Sequence, residues 1–191
     1  MDLEARRARR REALLAAGVE LLGAAEGPAV SVRAVCSRAG LTERYFYENF
    51  TDRDAFVREV YALVADRAQQ ALVAAVGRAR RPSERARRAV HAFTDLVLDR
   101  PEYGRVLLSA PFGDGALGRI GTRTVPHFVA LVEAQLPRET DAATRTLTAT
   151  AVVGALTSLF TAFLDGDLPV DRARFTEHCV AVVAAAGRGE W

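Results

Sequence analysis

The 191-residue chain has no lysine, one isoleucine, one methionine and two cysteines. Without lysine, arginine carries all 26 basic charges. Arginine suits phosphate and guanine recognition, yet so complete a replacement reads first as genomic base composition. Thirty-six alanines stand against the single isoleucine, which tilts the chain toward helix and away from sheet. A chain of this length buries a core without disulfide staples, which excludes the stapled mini-protein class. Cys36 and Cys179 are far apart and lack metal-ligand spacing, and the first residues are charged with no apolar leader. The expectation is a reducing cytoplasm. A net charge of +2 does not mark a nucleic-acid binder, so any such reading must come from local placement of charge. No nucleophile elbow, HExxH or P-loop is assembled, and His91, His127 and His178 fall on different expected helices. We expect no enzyme activity, no cofactor and no metal site, the histidines being ordinary partly buried ones. The sequon at Asn49-Phe50-Thr51 is idle without a secretory signal.

What the sequence does contain is helical periodicity. Leu14, Leu15, Gly18, Leu21, Leu22 and Ala25 recur on one face, giving a first helix over residues 5–25 that Gly27-Pro28 stops. Ser31 caps a second helix through Arg38, with Val32, Val35 and Ala39 inward, and Gly40 ends it in the left-handed conformation. Thr42 caps a third through Phe50, and Thr51 with Asp54 forms a capping box for a fourth, 52 to about 78. Further helices are expected from Ser83 to Asp99, Pro101 to Leu108, Val125 to Leu136, Asp141 to Leu164 and Asp171 to Gly187, the last two an antiparallel pair. Gly113, Gly115, Gly118 and Gly121 predict a mobile connection whose conformation responds to ligand. Its Gly113-to-Gly118 portion spells GxGxxG but lacks the βαβ context of a nucleotide site. The fold class is all-α, with no fixed-period repeat and no strand alternation.

Residues Ser31 to Phe56 read as helix, glycine turn, helix, an arrangement that presents its second helix to a DNA major groove. Arg33, Arg44 and Arg53 can reach phosphates or guanine edges, while Thr42, Tyr45, Tyr47 and Asn49 supply hydrogen-bonding groups. Phe46 and Phe50, four apart, point inward and turn Glu43, Arg44, Tyr45, Tyr47, Glu48 and Asn49 outward. At these residues the sequence resembles the TetR family of bacterial transcriptional regulators, over about residues 10–60. The resemblance implies a three-helix DNA-binding domain over residues 1–50 and a helical ligand-binding and dimerisation domain over 51–191. It places Ser31, Thr42, Tyr47, Asn49 and Arg53 on phosphates and Arg33, Glu43, Arg44 and Tyr45 against base edges. Three positions depart from the family pattern: Cys36 stands for a usual alanine, Glu43 for a frequent lysine or arginine, and Arg44 for a frequent glycine. A bidentate Arg44–guanine contact discriminates by about 1–3 kcal/mol. Glu43 needs a cytosine amino group or Arg44 as partner.

Charge argues the other way, because residues 1–60 hold ten arginines and ten acids. Helix N-termini and individual arginines must then supply the attraction. Arg6, Arg7, Arg9, Arg10 and Arg11 form a basic arm that follows phosphates or enters a minor groove, or else a frayed terminus. The run Arg78, Arg80, Arg81, Arg85, Arg87, Arg88 is read first as a solvated turn, with a site for an acidic ligand or partner as the alternative.

From Thr146 to Leu164 nineteen residues carry no charge. Six hydroxyl side chains and the neighbouring Asp165 and Asp167 argue against membrane insertion and for a helix packed on its own core and on a second subunit. Thr150, Gly154 and Ser158 allow close approach, and Phe175, Val182, Val183 and Ala186 complete a four-helix homodimer interface. Expected partners are therefore double-stranded operator DNA, a second copy of the chain and a hydrophobic small-molecule effector, with no membrane. Phe93, Leu96, Leu107, Phe128, Leu131 and Phe160 are candidate pocket residues, with Tyr103 or His127 as the polar contact, although plain core is the competing reading. The function expected is that of a ligand-responsive regulator, usually a repressor, at a palindromic operator. The alternative is a helical dimer that binds a small molecule or protein but no specific DNA.

Overall fold

The computed structural model describes residues 3–26, 30–77, 79, 81–137 and 140–189. The Gly27-Pro28 stop and Arg78 and Arg80 of the basic run lie outside them. The described residues form ten helices and no strand: α1 (Leu3–Leu22), α2 (Val32–Ala39), α3 (Glu43–Tyr47), α4 (Arg53–Gly77), α5 (Pro82–Leu98), α6 (Pro101–Leu108), α7 (Ala110–Gly113), α8 (Gly118–Glu133), α9 (Ala142–Leu164) and α10 (Arg172–Gly187).

The first three helices pack on one another and on the start of α4. Ser31 caps α2, its hydroxyl accepting the Ala34 amide at 3.2 Å. Gly40 closes α2 at φ 66°, and the Leu41 amide returns to the Cys36 carbonyl at 2.9 Å. A side chain at that φ is strained, which is why glycine sits at the turn. Phe46, Phe50 and Phe56 meet with centroids 4.9–5.3 Å apart. Gly18 of α1 lies directly beneath them, and a Cβ there would come within 2.5 Å of the Phe56 ring. The core continues along α4 through Val57, Val60, Tyr61, Val64 and Ala68 into the later helices.

Beyond α4, α10 runs antiparallel to α5. Arg172 at the start of α10 reaches Asp95 at 2.7 Å and Asp99 at 2.5 Å at the end of α5, and Glu177 meets Arg87 further back at 2.7 Å. Thr146 of α9 donates to the Glu133 carboxylate of α8 at 2.9 Å, pairing the end of one helix with the start of the next. On α9, Ala149, Val152 and Phe160 are buried, while Leu147, Thr150, Ala151, Gly154 and Ser158 are exposed, Leu147 to 71%. Ala142–Leu164 is long and apolar enough to cross a membrane by length and composition.

Several expectations are corrected. The basic arm is neither a separate arm nor a frayed end, because α1 is helical from Leu3. Thr42 stands at the start of α3, but its hydroxyl makes no capping bond, and the helix stops at Tyr47. Asp52, not the Thr51–Asp54 pair, opens α4, its carboxylate accepting the Ala55 amide at 2.7 Å. The glycine stretch is largely helical, since α7 ends at Gly113 and α8 starts at Gly118 and runs through Pro126. Glycine in a helix costs about 1 kcal/mol, which packing of α8 on α9 and α7 outweighs. His127 and His178 are exposed rather than partly buried.

Candidate nucleic-acid interface and effector cavity

The turn at Gly40 sets α3 on the outside of the N-terminal helices, with Phe46 as its buried anchor. Arg33, Thr42, Glu43, Arg44 and Tyr47 are exposed, Tyr47 to 58%. Arg44 bonds Glu48 one turn on, Nε to Oε1 at 3.2 Å, with most of its side chain in solvent. A pair so exposed is held weakly and yields readily to a better partner. Ser31 is exposed, and its hydroxyl keeps a proton to donate after accepting the Ala34 amide. All six of these residues of α2 and α3 and their N-terminal caps are open to solvent.

Tyr45, Asn49 and Arg53 are placed differently from the expectation. Tyr45 is half-buried, with the Arg10 guanidinium over its ring at 3.9 Å. Asn49 is half-buried and donates to the Tyr45 carbonyl at 2.8 Å, closing the end of α3. Arg53 is turned inward: its Nε donates to the Val30 carbonyl at 3.0 Å, and its two terminal nitrogens grip the Asp114 carboxylate. Burial pushes the Asp114 carboxyl up, but hydrogen bonds from Arg53 and the Ala116 amide, with the Arg53 charge, outweigh it and hold the group below its ordinary value. The hydrogen bond that it donates to Asp114 raises the Arg53 guanidinium above its already high value. Arg53 therefore joins the segment before α2 and the start of α4 to the turn that precedes α8.

Sequence reasoning missed that bond, since Asp114 lies 61 residues away. It also missed what the α1 arginines do. Arg7 donates to the Glu48 carbonyl at 2.6 Å and Arg10 covers Tyr45, so α1 fixes both the end and the flank of α3. Arg11 pairs with Glu59 of α4. A signal was present, because Arg7, Arg10 and Arg11 continue the spacing of Leu14 and Gly18. Next to α3, burial and then the Glu43 carboxylate push the Cys36 thiol up.

The later helices line a half-open cavity of about 750 Å³, within the range of small-molecule sites. Phe93, Leu107, Phe128, Leu131 and Phe160 stand on its wall. Leu96, Tyr103 and His127 do not. Tyr103 is buried elsewhere, its hydroxyl held by Arg67 and, at 2.7 Å, by Arg100. Leu96 packs into the main core. His127 of α8 is exposed on the outside. The polar residues on the wall are instead Ser83, Arg85, Gln135 and Arg188, together with the largely buried Tyr61. Among the described residues no group of His, Cys, Asp and Glu could hold a metal ion.

The described residues set an exposed helix-turn-helix on a helical body that carries a half-open cavity. Comparison with solved structures agrees: the chain has the TetR-like fold. A TetR-like transcriptional regulator from Rhodococcus sp. RHA1 superimposes with a TM-score of 0.76 at 19% identity, over 94% of this chain and 96% of that one. A TetR-family regulator from Streptomyces coelicolor gives 0.77 at 18% identity, over 100% and 83%. The fatty acid degradation regulator FadR from Bacillus halodurans gives 0.77 at 12% identity, over 91% and 94%. No protein-family model and no curated protein matches the sequence.

Proposed function

We propose that the chain is a ligand-responsive transcriptional repressor of the cytoplasm that binds a palindromic operator as a homodimer. Residues 1–50 bind DNA, and 51–191 bind the effector and dimerise. The observation that carries this reading is the exposed face of α3 with Arg44 and Tyr47, built in the same chain as a large apolar-walled cavity. Thr42, Tyr47 and Ser31 contact phosphates, and Arg33 and Arg44 read base edges. Glu43 accepts from a cytosine amino group. Tyr45 and Asn49 support α3, and Arg53 has a structural role in place of a phosphate contact. The exposed stripe Leu147, Thr150, Ala151, Gly154, Ser158 on α9 pairs with its copy about a two-fold axis. Gly154 has nothing within 4 Å of where a Cβ would stand, so a second backbone can come close.

Operator binding then requires the two α3 helices to stand about 34–36 Å apart, one turn of duplex. An effector that binds the cavity more tightly in a mis-spaced state weakens DNA binding by that difference in affinity. Selection from a random duplex pool at about 150 mM salt, where non-specific phosphate contacts are suppressed, tests the reading. Enrichment of a pseudo-palindrome is expected, with base preference relaxed at one position per half-site in Arg44→Ala. A folded dimer that enriches nothing would be a ligand- or partner-binding module instead. Unchanged base preference in Arg44→Ala would remove Arg44 from the readout.

A further inference from the structure

Four polar residues of the cavity wall, Ser83, Arg85, Gln135 and Arg188, are gathered at one end, while Tyr61 of α4 stands apart from them. α4 finishes at Gly77 and α5 starts at Pro82, so the wall residues Gly77, Ser83 and Arg85 share that end. Because α10 runs antiparallel to α5, Arg188, just past the end of α10, returns to the same level. Gln135 follows the end of α8, where Leu136 shares a cluster with Ala149 and Ala186. Phe93, Leu107 and Phe160 lie on the wall toward the other end, and Phe160 packs edge to face on Phe93 with centroids 4.9 Å apart.

Arg85 and Arg188 are on the wall, and no acidic side chain is among the described wall residues. Of the described acids beside these wall residues in sequence, Glu84 pairs with Arg88 at 2.8 Å and Glu133 accepts from Thr146. Arg85 is half-buried, and its protein contact is a long 3.4 Å bond from Nε to the Ala79 carbonyl, which leaves its terminal nitrogens for a ligand. A cationic head placed here would meet like charge, and a neutral one would leave charge-assisted hydrogen bonds unmade.

Resting on the reading of this cavity as the effector site, we propose that it selects an amphiphile with a carboxylate head. The head binds at Arg85, and an unbranched apolar chain runs toward Phe93 and Phe160. Ten residues of α5 separate Ser83 from Phe93, about 15 Å along the axis, which accommodates a chain of roughly ten to twelve carbons.

Calorimetric titration of the full-length protein with decanoate, decanol and decyltrimethylammonium, each below its micelle concentration, tests the assignment. Decanoate is expected to bind at least about tenfold more tightly than either of the others. In Arg85→Gln that preference is expected to shrink severalfold, with decanol affinity unchanged and the melting curve intact. Arg85→Met provides the same readout if the first variant does not fold. Equal affinities, or a preference for the ammonium, would overturn the head-group assignment while leaving an apolar effector site in place. Binding of none of the three would overturn the assignment and the effector reading of the cavity together. The duplex selection described above reports on DNA binding independently of either outcome.

Discussion

Two parts of this molecule use the same alanine-rich, lysine-free composition in opposite ways. Around α1 to α3 and the start of α4, three phenylalanine rings meet at about 5 Å and a glycine is needed to make room for them. From the end of α4 onward, Phe93, Phe128 and Phe160 stand on the wall of a 750 Å³ cavity. In the first part aromatic volume fills the centre. In the second, Phe160 and Phe175 also pack ring on ring at 4.9 Å, but Phe93, Phe128 and Phe160 border an open space as well. Close packing fixes the attitude of a short helix that could not hold its shape alone, whereas a hollow centre lets helices shift at small cost.

The contrast predicts a graded series of stability changes. Phe56→Ala removes a fully buried ring from the centre of the first cluster and is expected to cost about 3–5 kcal/mol in urea unfolding. Gly18→Ala places a methyl group against the Phe56 and Val60 side chains and is expected to cost about 1–3 kcal/mol, seen as a lower midpoint at constant slope. A stabilised Gly18→Ala protein would show the first region to be looser than described.

Asp114→Asn tests the joint between the two parts. It weakens the grip on Arg53 and is expected to cost about 1–2 kcal/mol, a figure reduced for the partial exposure of Arg53. The pH dependence has a definite sign. With its pKa depressed in the folded state, Asp114 contributes stability that is fully present above the unfolded value, about 3.9, and is lost as pH falls through the lower folded value. The acid limb of the stability curve should therefore flatten in Asp114→Asn. An unchanged limb would show that the pair does not persist in solution. The smallest effect is expected at the cavity, where Leu131→Ala, on a wall that is already open, should cost less than about 2 kcal/mol. A cost equal to that of Phe56→Ala would mean that the cavity collapses in solution. Cys179, which burial raises to about 11, should resist alkylation at pH 8 in the folded protein and react once it unfolds.

The difference between the two parts also governs what could be read from sequence. Ser31, Gly40, Phe46 and Phe50 are local signals, each acting within a few residues, and they located α2, the turn and the buried side of α3. Helix caps at Asp141 and Asp171 are equally local and accept the Thr144 and Arg174 amides as expected. Arg53 was misread because its partner depends on tertiary approach across 61 positions, and its arginine chemistry fits a phosphate as well as a carboxylate. Periodicity marks an apolar face but not whether that face meets another side chain or a void. Leu72 and Val76 were therefore indistinguishable from plain core, and Leu96 and Tyr103 from cavity wall.

The arginines around α3 bear on how such a protein would search a chromosome. Arg7 is committed to Glu48, Arg10 to Tyr45, Arg11 to Glu59 and Arg53 to Asp114, and the first sixty residues carry equal numbers of arginines and acids. Arg7 and Arg10 keep their charge in these contacts, but with arginines and acids equal in number the region as a whole offers random duplex little net attraction at a distance. Residence on unrelated sequence would be brief, scanning would proceed by short hops through solvent rather than by long sliding, and occupancy would depend on fit at the operator far more than on ionic conditions in the cell.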